Sequence, residues 1–387
     1  MKKEDNMTSD NKNIPHNYSP GLEGIIAGIS DIAEIDPDHD ALSYRGYPAH
    51  VLAEHATYLE VAYLLLNGKL PNRAELDSFS NELTQERNLS QQFLAFLKHI
   101  PQGANGMTSL SMAISCLAIL DLDTQKNDRS SNLSKAKRLI AQSPAVVAAL
   151  YRIGHGQKLI KPTSHLSHAA NFLYMMTGKE PDPEIAKSFQ STMILYAEHG
   201  FNASTFTALV TASTLSDMHS AVVSALGTLK GPLHGGANEG AIETLLSIGD
   251  IKNVEPWLKE TLKRKEKVMG FGHRIYRKQD SRAPLQKQMV ERISKRVGDT
   301  KLFPLACKLE EAMKREKNLF PNVDYFSSVL YYLIGLPIEV YTPIFAMSRM
   351  AGWAAHIIEQ HSANVLIRPD CHYSGDKKMK FVPIDER

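Results

Sequence analysis

Cysteine is scarce in this chain: Cys116, Cys307 and Cys371 are the only three in 387 residues. They are far apart, odd in number and form no C-x-x-C pair, which argues against a disulfide framework and for a reducing, cytoplasmic compartment. Long apolar runs are missing as well. No stretch reaches the ~18 residues that would span a bilayer. The first residues are polar and lack the apolar core of an export signal, so residues 1–20 read as a frayed or disordered extension. Charge of one sign is also absent: 44 Lys and Arg against 42 Asp and Glu leave a formal net charge of +2, too little to draw nucleic acid or an anionic membrane to the chain as a whole. Several motifs are lacking too. Gly235-Gly-Ala-Asn-Glu-Gly is out of register for a dinucleotide loop and follows no strand. There is no P-loop, no Gly-x-Ser-x-Gly elbow, and no His-x-x-x-His or Glu-x-x-His pair to suggest a metal.

What remains is a composition of 43% hydrophobic and 22% charged residues, that of a globular protein long enough for two domains. Helical periodicity dominates. Stripes with stop signals run through Tyr58 to Leu66, Phe93 to His99, Met107 to Leu120, Asn171 to Met176 and Ile185 to His199. Ser143-Pro144 reads as the start of a helix, and Thr205 to Leu229 as one continuous helix. Later come Val254 to Lys267, Ser281 to Val297, Leu305 to Glu316, Tyr325 to Ile334 and the apolar Ile338 to Gln360, which should be central and buried. Small strands are expected only near Gly21 to Asp36 and Leu42 to Tyr47. The reading is all-α with two domains.

The chain is organised around Leu229 to Leu246. Four glycines and a proline surround His234, just ahead of a helical stripe, so His234 belongs in a bent loop at a helix N-terminus. The positive end of that helix disfavours a second ring proton, leaving a neutral imidazole able to donate to a developing oxyanion. An ordinary turn histidine is the alternative. Arg349, inside Ile344-Phe-Ala-Met-Ser-Arg-Met-Ala-Gly-Trp, needs either an acidic partner or an anionic ligand. Val268 to Arg282 gathers His273, Arg274, Arg277 and Arg282 about Gly270 and Gly272, suited to carboxylates or phosphates or else a solvated face. Asp324 follows Pro321-Asn322 and is either an N-cap or a base kept ionised by a helix N-terminus. His199 by itself reads as a structural histidine, and Arg368 as a surface residue at a strand end.

Three of these stretches together, Gly231-Pro-Leu-His-Gly-Gly-Ala-Asn-Glu, Met269-Gly-Phe-Gly-His-Arg-Ile-Tyr and Phe320-Pro-Asn-Val-Asp-Tyr-Phe-Ser, resemble the catalytic motifs of citrate synthase. The resemblance runs from Gly21 to Ile384 and is to the short bacterial and archaeal dimeric type, which includes 2-methylcitrate synthases. It implies a helical fold with a large domain over residues 21–235 and 336–387, a small domain over 236–335, and the site in the cleft between them. It implies that Asp324 deprotonates acetyl-CoA, His234 donates to the thioester oxygen, and His273 polarises and then protonates the ketone oxygen of oxaloacetate. His199, Arg282, Arg349 and Arg368 match positions that hold oxaloacetate, Arg368 from a partner subunit. Val268, Met269, Gly270, Phe271, Gly272 and Arg277 match the CoA contact. No cofactor is expected beyond the substrates, and no metal, nucleic acid or membrane partner. The resemblance leaves open propionyl-CoA as the thioester and, in a different class, a non-catalytic metabolite-binding paralogue. The chain departs from the family pattern at Asn105-Gly-Met-Thr for His-Pro-Met-Asp, at Ser281 for proline, at Val365 for arginine, and at Tyr196-Ala-Glu-His199-Gly for His-Ala-Asp-His-Glu.

Overall fold

The computed structural model describes residues 18–39 and 41–387. The extension read over residues 1–20 lies outside the described residues as far as residue 17. The described chain falls into two compact units, one holding the residues up to Ile29 together with Ile367–Arg387, the other Ser30–Leu366. Among its described residues the first has only single 3-10 turns, at Pro20–Leu22 and Ile384–Glu386. The second holds all the other elements.

That second unit opens with a small antiparallel sheet of β1 (Ala33–Asp36), β2 (Ala41–Tyr44) and β3 (Tyr47–Pro48), with Ala33 opposite Tyr44. Helices follow without interruption: α1 (Ala49–His55), α2 (Tyr58–Asn67), α3 (Arg73–Glu86), α4 (Gln91–Leu97), α5 (Gly106–Leu120) and α6 (Arg129–Gly154). Next come α7 (His168–Thr177), α8 (Pro183–Tyr196), α9 (Ala203–Ser213), α10 (Met218–Leu229) and α11 (Ala237–Ile248). The chain continues through α12 (Val254–Lys263), α13 (Ala283–Val297), α14 (Leu302–Lys317), α15 (Val323–Leu333) and α16 (Tyr341–Ser362). The all-α expectation therefore holds, and so do the two predicted strand regions. Local chemistry accounts for most boundaries. Thr57 with Glu60 and Asn72 with Glu75 form capping boxes, while Gly68, Gly178 and Gly298 end their helices in left-handed conformations.

Helix α16 is the core of the unit. Every residue from Tyr341 to Ile358 is buried, against α2, α6, α8, α9 and α10. Packing against it explains why Pro144 does not start a helix as its sequence suggests. Ser143 and Pro144 lie in the middle of α6, both buried. Proline cannot donate to the carbonyl of Ile140, and Ser143 Oγ donates to it instead at 3.5 Å. The span read as one helix from Thr205 breaks at Leu215, whose φ is +64°, and Asp217 caps α10 by accepting from Ser220 N at 3.0 Å. Helix α8 stops at Tyr196, short of the expected His199. There the buried Tyr44 hydroxyl lies 3.0 Å from the carbonyls of both Ile194 and Glu198 and holds the chain as it leaves the helix.

Candidate active site

Three segments distant in sequence meet beside α16. The first is the loop between α10 and α11. Gly231 O accepts from His234 N at 2.9 Å, and α11 begins three residues after His234, so the histidine sits at a helix start as its surroundings predict. Gly235 admits no side chain, because an added Cβ would fall 2.7 Å from Leu229. His234 Nε2 lies 2.9 Å from Ser204 Oγ, which also accepts from Trp353 Nε1 at 3.3 Å. Ser204 has one hydroxyl hydrogen and two acceptors within reach, His234 Nε2 and Asn202 Oδ1 at 2.8 Å; when that hydrogen is turned toward the ring the imidazole proton sits on Nδ1, which makes no hydrogen bond among the described residues. Burial, with Arg349 nearby, pushes the His234 pKa down to about 4, so the ring is neutral at physiological pH.

The second segment, Val268 to Arg282, is locked to the third, the start of α15. Gly272 N donates to Phe320 O at 2.8 Å, and Phe271 and Pro321 form an antiparallel bridge. Asn322 N donates to Gly270 O at 2.9 Å, and its side-chain amide to Gly272 O at 3.1 Å. Gly270 takes φ +85° with an added Cβ only 2.9 Å from the Tyr325 ring, so both conformation and space require glycine. Asn322, not Asp324, is the N-cap of α15: its Oδ1 accepts from Asp324 N at 3.0 Å. The carboxylate of Asp324 is thereby left free of capping, in the first turn of the helix.

His273 stands on this locked loop. Its Nδ1 accepts from Ile275 N at 3.1 Å and Tyr276 N at 3.2 Å, which puts the ring proton on Nε2. Burial, reinforced by Arg282 and opposed by Asp280, depresses its pKa to about 4. The His199 ring lies 5.1 Å from that of His273 and its Nε2 is 3.2 Å from the Tyr276 hydroxyl; burial and Arg282 hold it neutral as well.

The two buried arginines of this site differ. Arg282 is gripped by Asp280, whose two oxygens accept from its Nε at 2.8 Å and Nη2 at 2.7 Å. Asp280 Oδ2 also accepts from Val323 N at 3.1 Å, tying Arg282 to the start of α15. Burial works against the charge on Arg282, and the Asp280 carboxylate more than offsets it. Arg349 has no carboxylate partner among the described residues. Its Nε donates to the carbonyl of Tyr196, its guanidinium stacks 4.7 Å from the Phe345 ring, and its Nη1 is buried without a partner. A cation so placed is costly to leave alone and suited to an anionic ligand. Phe345 also approaches the rings of Tyr196 at 4.3 Å and His234 at 6.0 Å, linking His234 to the rest of the site.

Asp324 is buried at 7% exposure, and burial raises its pKa to about 6 although Tyr196, Arg282 and Arg349 all pull it down. Its Oδ1 accepts from the Tyr196 hydroxyl at 2.6 Å, and its Oδ2 makes no hydrogen bond among the described residues. His199, His234, His273, Arg282, Arg349 and Asp324 are therefore gathered in one place. Val268 to Gly272 runs beside them, with Arg277 exposed nearby in sequence. Arg368 belongs to the other compact unit, where it is 74% exposed and pairs with Asp370 at 3.0 Å. Sequence reasoning overlooks Ser204, Tyr276, Asn322 and Phe345. Tyr276 stands one helical turn's spacing from His273 and Asn322 two residues before Asp324, but nothing local marks Ser204 or Phe345.

Residues 21–370 match the family model described as citrate synthase, C-terminal domain. The citrate synthase of Haloferax volcanii is 44% identical over 95% of this chain and 98% of its own. The 2-methylcitrate synthase of Mycobacterium tuberculosis is 42% identical over 92% of this chain and 91% of its own. Among solved structures, a ternary complex of carboxymethyl coenzyme A and oxaloacetate with citrate synthase from Thermoplasma acidophilum superposes with a TM-score of 0.89 at 33% identity, covering 95% of this chain and 98% of that one.

Proposed function

The chain belongs to the citrate synthase family, a family of acyl-transferring enzymes, and from that premise we propose that it condenses acetyl-CoA with oxaloacetate and hydrolyses the resulting thioester to citrate and free CoA. The observation that carries the reading is the convergence of two neutral imidazoles, one buried carboxylate and an unpaired buried arginine in a single site.

The chemistry follows from these groups. Asp324 Oδ2 takes a proton from the acetyl methyl group. A pKa near 6 makes it a stronger base than an ordinary carboxylate while keeping it largely ionised at neutral pH. His234 donates to the thioester oxygen as negative charge gathers there; one well-placed donor contributes roughly 3–4 kcal/mol to such a step. The enol carbon attacks the ketone carbon of oxaloacetate, whose oxygen His273 polarises from Nε2–H and then protonates; the ring regains that proton from the water that attacks the thioester, and Asp324 returns its proton to the departing CoA sulfur. Water finally cleaves the thioester, releasing CoA as the thiol. Arg282, Arg349 and His199 hold the oxaloacetate carboxylates, and Val268 to Gly272 with Arg277 receive CoA. No prosthetic group enters the scheme.

The large domain of the proposal spans residues 21–235 and 336–387, the small one 236–335. The bonds from Asn322 and Asp280 support a small domain in which His273 and Asp324 move as one body, so that closure over oxaloacetate excludes water before the enolate forms. A cytoplasmic homodimer, with Arg368 supplied from the partner subunit, belongs to the same reading. The unpaired cysteines support the compartment. The dimer is supported by exposed apolar side chains on α5, in the turn after it and around the α9–α10 turn, among them Met112, Ile119, Leu122 and Leu215.

A second reading, 2-methylcitrate synthesis from propionyl-CoA, is favoured by the Mycobacterium relative; one extra methylene is worth only about 1–3 kcal/mol in discrimination. The intact His234, His273 and Asp324 argue against a non-catalytic paralogue. The test is thiol release from oxaloacetate with each thioester. Release with acetyl-CoA at the higher kcat/KM supports the first reading, a propionyl preference supports the second, and no release from folded protein refutes both.

A further inference from the structure

The buried tyrosines of this protein spend their hydroxyls in different ways. Tyr44, Tyr58 and Tyr325 donate to main-chain carbonyls, at 3.0, 2.9 and 2.8 Å. Tyr196 instead donates to a carboxylate, Asp324 Oδ1, at 2.6 Å across 128 residues of sequence. Its hydroxyl oxygen also lies 2.7 Å from Ser327 Oγ, one turn along α15 from Asp324. Ser327 Oγ also donates to the Val323 carbonyl at 2.8 Å, so the serine fixes the phenol oxygen in place while the phenol's own hydrogen ends on one oxygen of the carboxylate. The same residue holds a second member of the site, because its main-chain carbonyl accepts from Arg349 Nε. Its ring packs 4.3 Å from Phe345, on which the Arg349 guanidinium stacks.

From this geometry we infer that Tyr196 is a positioning residue for the proton-abstracting carboxylate: it holds Asp324 Oδ1, turns Oδ2 toward the substrate, and sets the distance between the base and the carboxylate-binding Arg349. The inference rests on the proposed role of Asp324 as base. Asp324 is faced by Tyr196 from α8, by Asp280 and Arg282 ahead of α13, by Arg349 from α16, and by Tyr331 on its own helix. Of these only Tyr196 hydrogen-bonds the carboxylate. A bond donated to the ionised form stabilises that form, so Tyr196 counters part of the upward push of burial on Asp324.

The experiment compares wild type, Tyr196→Phe, and protein carrying 3-fluorotyrosine at position 196, a more acidic phenol of nearly the same shape. kcat/KM and kcat are measured from pH 5 to 9, with KM for oxaloacetate. In Tyr196→Phe the acid limb should move up by roughly one pH unit, about a fivefold additional loss near pH 6, while KM for oxaloacetate stays within about twofold. The fluorinated protein should move the limb the opposite way, and it decides the matter alone if the phenylalanine variant does not fold. An acid limb that stays put in both proteins, with only a uniform fall in rate, overturns the inference and leaves Tyr196 a packing residue. Asp324→Asn keeps the two readings apart. An active wild type that loses turnover in Asp324→Asn but shows no limb movement at position 196 sinks only this inference. A wild type that releases no thiol sinks the proposed function and takes this inference with it.

Discussion

Replacing Asp324 with asparagine should cut turnover severely and, at neutral pH, make the protein more stable. The carboxyl is buried, and burial lifts its pKa from 3.8 to about 6 against the pull of Tyr196, Arg282 and Arg349. A displacement of about two units corresponds to roughly 3 kcal/mol that the folded state loses by carrying this group ionised. The sign follows from proton binding. Between about pH 4 and 6 the folded protein keeps a proton that the unfolded chain has released, so stability from this group falls as pH rises through that window. The deficit is complete above pH 7 and absent below about pH 4. Asparagine is neutral at every pH, fits the same space, and can still accept from Tyr196. Its gain should therefore approach 3 kcal/mol at pH 7.5, about 4 °C in Tm for a chain of this length, and shrink toward zero near pH 4. Turnover should fall by roughly a thousandfold, the loss of a general base. Urea midpoints and Tm at pH 7.5 and 4.5, with thiol release, test both halves. A variant less stable than wild type at pH 7.5, or a gain that does not change with pH, would refute the account of Asp324 as a group held ionised at a cost.

Other substitutions test the supporting structure. Asp280→Asn leaves Arg282 buried without its bidentate partner and weakens the acceptor for Val323 N, so a loss of about 3–5 kcal/mol is expected in urea unfolding; a change under about 1 kcal/mol would contradict it. Gly352→Ala puts a methyl group 2.3 Å from Ala197 O and from Glu198 Oε2, which forces α16 away from the end of α8. Since Arg349 is three residues away, both a loss of about 1–3 kcal/mol and a raised KM for oxaloacetate should follow, and a variant with wild-type Tm and KM would show the contact to be soft. Ser204→Ala removes the group that bonds both His234 Nε2 and Trp353 Nε1. It should cost about tenfold in kcat, roughly 1.4 kcal/mol, with KM for oxaloacetate unchanged, and an unaltered kcat would mean that Ser204 does not set the His234 tautomer.

What the amino-acid sequence determines by itself is whatever depends on neighbours a turn or two away. Apolar stripes mark the helices. Asparagine, threonine and aspartate before a stripe mark its start, and glycine after it marks its end, because the capping bonds are made within four residues. The same locality sets His234 ahead of α11. Three motifs in order were enough to indicate the family. Sequence reasoning fails where a distant partner outweighs the local signal. Pro144 is carried through α6 by burial against α16, and Asp324 is relieved of capping by Asn322, which the loop at Gly270 to Gly272 holds in place. Whether Arg349 has an acidic partner, which residue grips Arg282, and what the Tyr196 hydroxyl meets were decided only by tertiary structure. Each depends on desolvation and on contacts between segments that no spacing in the chain records, and it is removal from water that turns ordinary histidines and an ordinary aspartate into neutral rings and a raised carboxyl.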